Sequence, residues 1–172
     1  PIHLNRFERH FNKPHQTIKH HLEHFINNNI LIVHKQNRLR FYQINLDNPL
    51  TKEYLIMCEK QRLIHLLQNS LFFELYNTLA PFFDNSSFII FGSAVYKKDF
   101  NDIDLLAISQ NKSISTATDS FVHAYVHLIQ TNFQNINKTL FNQIKQHHII
   151  LNDHQKMMGV LYEHTMVHYW CH

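Results

Sequence analysis

Glycine and proline are scarce in this chain: its 172 residues hold two glycines and four prolines. So few exclude a collagenous or low-complexity protein. Cysteine is nearly as rare. Cys58 and Cys171 stand far apart and make no disulfide framework, so a reducing, cytoplasmic setting is the cheaper expectation. No apolar run approaches the roughly 20 residues of a membrane span, and no signal peptide opens the chain. We therefore expect no membrane. The first residue is Pro1 instead of Met, and an initial segment is expected to be missing. A strong excess of one charge is lacking as well. Sixteen Lys/Arg against 13 Asp/Glu leave a net +3, too mild to identify a partner.

What is present points to a folded protein. The chain is 44% hydrophobic and 13% aromatic, enough to bury a core and unlike a disordered sequence. Its charge is unevenly spread. Residues 1–70 carry ten Lys/Arg against five Asp/Glu, whereas residues 71–172 carry six against eight. A basic first part joined to a slightly acidic second part suggests a polyanion-facing module attached to something else.

Leu4, Phe7 and Phe11 have helical spacing, and Lys13-Pro14 breaks that helix. Ile18, Leu22, Phe25 and Ile26 then form the apolar stripe of a second helix, ended by Asn27-Asn28-Asn29. Residues 30–34 and 39–45 are β-rich runs about a polar tip, 35–38, and predict a hairpin. Helix, turn, helix and cationic hairpin resemble a winged helix-turn-helix, here spanning residues 1–48 and without the usual upstream helix. The resemblance makes the second helix the recognition helix, with Lys19, His20 and His24 toward DNA. It makes Lys35–Arg38 the wing, with Lys35, Arg38 and Arg40 on phosphates, contacts that supply affinity more than sequence. The bland alternative is a solvated hairpin in a domain that packs or dimerises.

Residues 50–68 and 71–83 are amphipathic and read as a helical connector, 49–84. Phe72, Phe73, Phe82 and Phe83 are expected to pack in a core or between domains. Strands are expected at 88–91, 102–108 and 123–130, with a Ser/Thr-rich loop at 109–120. Helices are expected at 132–146 and 153–169, with a short strand or connector at 148–151. His147-His148 is expected at the surface. His164 and His168, near Cys171 and His172, have neither a C-x-x-C nor an H-E-x-x-H context, so no structural zinc is expected there.

The most informative stretch is FIIFGSAVYKKDFNDIDLLAIS, residues 88–109. A strand, Gly92-Ser93, a polar connector and Asp102-Ile103-Asp104 opening another strand resemble the DNA polymerase β-like nucleotidyltransferases. The likeness is closest to the minimal nucleotidyltransferases, which read GS…DIDLL. Residues 85–172 are the expected core, a short mixed sheet flanked by helices, and the fold class is α+β. Gly92 would let the backbone approach phosphates, and Ser93 would donate its hydroxyl to them beside free N–H groups. Lys97 and Lys98 could contact the triphosphate or form a solvated turn. Asp102 and Asp104, two apart on a strand, point to one side. Such a pair suits Mg²⁺ and two-metal nucleotidyl transfer.

The sequence departs from this family in two respects: the connector Ala94–Asn101 holds eight residues without the second glycine often seen there, and a carboxylate is missing. The third acidic residue that relatives carry on the next strand is matched here by His127, and residues 120–152 hold no Asp or Glu. An imidazole can take a proton but brings no negative charge to Mg²⁺, and Mn²⁺ accepts nitrogen more readily. The resemblance implies a Mg²⁺- or Mn²⁺-dependent transfer of an adenylyl group from ATP to a protein or nucleic-acid acceptor. It also implies an antitoxin-like role beside a toxin-type protein partner, DNA binding through the winged helix, and a possible homodimer. The rival reading keeps the fold without catalysis, as a transcription regulator or interaction module.

Overall fold

The computed structural model describes residues 2–37 and 39–163. Arg38, His164, His168, Cys171 and His172 lie outside the described residues. The architecture is α+β and divides into two compact units, Pro1–Leu55 and Ile56–His172. No helix among the described residues is long and apolar enough to cross a membrane.

The first unit begins with a two-residue strand that the sequence did not announce, β1 (Ile2–His3). Then come α1 (Leu4–Phe11), α2 (His15–Asn27), β2 (Leu31–Gln36) and β3 (Leu39–Ile44). His3 ends β1 and also caps α1, its Nδ1 accepting from Asn5 N at 3.3 Å. Pro14 opens α2, where a missing N–H costs nothing. The three strands form an antiparallel sheet in the order β1-β3-β2. Ile18 and Leu22 of α2 are buried with Tyr42 of β3, and Leu4, Phe7, Ile26, Leu31 and Val33 pack around them. With so little glycine, the left-handed turn positions fall to asparagine: Asn12, Asn29 and Asn37 all have positive φ. Asparagine is the next most tolerant residue there, since its short side chain can bond locally.

The helix α3 (Pro49–Leu66) contains the boundary between the units. After it come α4 (Ser70–Leu79), β4 (Ser87–Phe91), β5 (Asp102–Ile108), α5 (Ser113–Asp119) and β6 (Tyr125–Thr131). The order closes with α6 (Lys138–Gln146), β7 (His148–Ile150) and α7 (His154–Met158). The sheet is mixed and runs β6-β5-β4-β7, with β5 and β6 parallel and the other pairs antiparallel. Alternation along the strands sends Phe88, Ile90, Ile103, Leu105, Ala107, Val126 and Ile149 into one core. Leu63, Phe72, Leu75, Leu79 and Ile114 belong to that core too. The expected connector is therefore in part core. Phe72 is buried and Phe82 and Phe83 pack against it, but Phe73 is half exposed.

Two expectations are corrected. The Ser/Thr-rich stretch 109–120 is not all loop: α5 forms within it, burying Ile114 and Thr118 on one side. Thr118 satisfies its hydroxyl on the carbonyls of Ile114 and Ser115, which is how so polar a helix packs. His148 is not at the surface. It is 6% exposed on β7, its Nδ1 2.9 Å from the carbonyl of Ile144.

Candidate active site

The site lies one row beyond the buried middle of the mixed sheet. Ile89, Leu106 and Ile150 are cross-strand neighbours and almost wholly buried. Two residues along, the register sets His148, Phe91, Asp104 and His127 side by side across all four strands. Ile103, between the two aspartates, faces the opposite way and is fully buried. Asp102 and Asp104 therefore share a face at the end of β5, and His127 comes alongside from β6. One ligand atom each from Asp102, Asp104 and His127 can be chosen so that all lie within 4.8 Å of one another. His127 Nδ1 is 3.0 Å from Asp104 Oδ1. Asp104 is the more enclosed partner, its side chain 26% exposed against 52% for His127.

Gly92 follows β4 directly and begins a 3₁₀ turn, Gly92–Val95. Its φ is +74°, a region that side-chain-bearing residues avoid. A Cβ there would collide with Asp104 Oδ2 and come within 3.3 Å of its Cγ. In this structure the glycine thus makes room for a carboxylate of the cluster. Its N–H donates to the carbonyl of His147 at 3.3 Å, tying the turn to the residue before β7.

The other sequence candidates are spread more widely. Ser93 stands beside Gly92, partly exposed, and its carbonyl accepts from the N–H groups of Tyr96 and Lys97. Lys97 and Lys98 are exposed on the turn that follows. Lys97 Nζ is 5.8 Å from the centre of the Tyr96 ring. Asp119 and Asp153, the acidic residues nearest to β6 and β7 in sequence, stay apart from the cluster. Asp119 accepts from Ser115, and Asp153 from Ser87 at the far end of β4.

A cleft of about 300 Å³ opens at the cluster, lined in part by Gly92, Asp104 and His127. Its remaining wall includes Tyr96, Gln143, Gln146 and His147, residues that motif reading passed over. The rings of Tyr96 and His147 lie 4.3 Å apart at 34°. The available signal was positional: Tyr96 lies inside the connector between Gly-Ser and Asp-x-Asp.

In the first unit Lys19, His20, His24, Lys35 and Arg40 are all exposed. Lys35 and Arg40 face one another across the hairpin. Lys19 makes an exposed i,i+4 pair with Glu23 at 3.7 Å, a contact that contributes little to stability. No protein-family model, curated protein or solved structure matches this chain.

Proposed function

We propose that the second unit is a divalent-metal-dependent nucleotidyltransferase and that the first unit binds DNA. One observation carries the enzymatic reading: two carboxylates and an imidazole converge within 4.8 Å, and Asp104 and His127 among them line a cleft. The donor set fits a divalent cation. Two carboxylate oxygens suit Mg²⁺ or Mn²⁺, and with no third carboxylate beside them Mn²⁺, less dependent on an all-oxygen shell, is the better match. Such an ion, when bound, would supply Lewis-acid neutralisation of the phosphates. Asp102 and Asp104 would hold it, and Gly92, having no Cβ, leaves Asp104 the room its carboxylate occupies. His127 has a separate task. With Nδ1–H donated to Asp104, its Nε2 is the ring's proton-accepting nitrogen. It would take the proton of an acceptor hydroxyl as that oxygen bonds to the α-phosphorus and pyrophosphate departs. ATP is the proposed donor.

The rival, a non-catalytic regulator, also has an observation behind it. Asp104 already has a partner in His127, whose Nδ1 lies 3.0 Å from its Oδ1. Titration calorimetry with ATP and Mg²⁺ or Mn²⁺ separates the two. Metal-dependent ATP binding that disappears in both Asp102→Asn and Asp104→Asn, with the fold unchanged by circular dichroism, supports the enzyme. Unaltered binding in both variants would remove the pair from the metal site. No binding by the unmodified protein would favour the regulator.

A further inference from the structure

The wall of the cleft opposite His127 has a chemistry of its own. Tyr96 is 56% exposed, yet its ring is held against that of His147. The backbone of His147 is in turn tied to the Gly92 turn, whose N–H donates to its carbonyl. An aromatic ring that is exposed but oriented is a stacking surface. Gln143 and Gln146 are three apart on α6 and line the same cleft. Away from Asp104 and His127 the lining carries no formal charge, which suits a neutral ring better than a phosphate. Its size is at the small end for ligand clefts, suited to a base and not to a whole nucleoside triphosphate.

We infer that Tyr96 and His147, with Gln143 and Gln146, form a nucleobase subsite selective for adenine. The inference rests on the nucleotidyltransferase reading and specifies its substrate. A glutamine amide presents one donor and one acceptor together. That pattern matches adenine, which offers a ring nitrogen acceptor beside an exocyclic amine donor. Guanine offers two acceptors at the same edge and calls for arginine or lysine instead. Lys97 Nζ stands over the Tyr96 ring at 5.8 Å and would have to swing aside where a base stacks on that face.

The test is a set of metal-dependent affinities measured on the full chain with Mn²⁺, for ATP, GTP and inorganic tripolyphosphate. ATP should bind about tenfold more tightly than tripolyphosphate, the order of one base–aromatic stack, and more tightly than GTP. Tyr96→Ala, and separately Gln143→Leu with Gln146→Leu, should bring ATP toward tripolyphosphate and leave tripolyphosphate within about twofold of its original affinity. Tyr96→Phe should retain the preference. Equal affinity for ATP and tripolyphosphate in the unmodified protein would overturn the subsite while leaving the metal site standing. So would undiminished ATP binding in both the alanine and the leucine variants. If neither compound binds, the nucleotidyltransferase reading fails and the subsite falls with it.

Discussion

At the scale of single residues, Gly92 and His127 determine what the cluster can do. A Gly92→Ala substitution must place alanine at φ +74°, which costs on the order of 1–3 kcal/mol. It must also push Asp104 aside, because the new methyl would overlap the carboxylate. We expect a lower melting temperature together with loss of Mn²⁺ binding. A stable variant with unchanged Mn²⁺ affinity would show that the turn does not position Asp104. For His127 the expectation runs the other way. His127→Asp gives the cluster a third carboxylate, which can take the acceptor's proton in place of the imidazole and should tighten Mg²⁺ and raise the Mg²⁺-dependent transfer rate. Rapid transfer with Mg²⁺ by the unmodified protein, abolished in His127→Asp, would mean that the imidazole is indispensable as a base.

At the scale of elements, the hairpin β2–β3 and the sheet around β5 were legible to different degrees. Both hairpin strands follow from β-rich runs about a polar tip, and the tip contains Asn37 with positive φ. Strand β5 follows from DIDLLAI, whose alternation puts Ile103 inward and both aspartates outward. Strand β1 gave no signal, since two residues are too few for any period; it exists because β3 offers a free edge at Tyr42 and Phe41. Helix α5 was hidden because Ser and Thr favour turns until tertiary burial of Ile114 overrides them. The cleft wall was hidden for a further reason. Tyr96 and His147 are distant in sequence and meet only because β7 pairs with β4. If the hairpin serves DNA, replacing Lys35 and Arg40 by alanine should weaken duplex binding. The slope of log affinity against log salt should fall by roughly 0.9 for each phosphate left without its cation. An unchanged slope would return the hairpin to a packing role.

At the scale of the whole molecule, the second unit's stability should depend on acid in a definable way. Burial holds His148 below its ordinary value, with Arg62 acting in the same direction and Glu59 opposing. His154 is lowered as well, again mainly by burial and then by Lys60. Unfolded histidine titrates near about 6.5, so below about that pH the unfolded chain binds more protons than the folded one. Stability contributed by these two neutral rings is present above that range and is lost as pH falls through it. Thermal melts between roughly pH 7.5 and roughly pH 5 should show this decline, and a His148→Phe, His154→Phe variant should show a flatter one. Equal slopes would shift the acid sensitivity to other groups. The pairing of β7 with β4 has one more consequence, for how the protein is made. Synthesis delivers the chain from its N-terminus, so β4, β5 and β6 all emerge before β7. Until His148–Ile150 arrives, one edge of β4 has no partner, and that strand is the apolar Ser87–Phe91. An unprotected apolar edge invites pairing with other chains. A nascent chain halted before His147 would therefore display a sticky edge beside an unfinished cleft, and release of the residues that follow would close both at once.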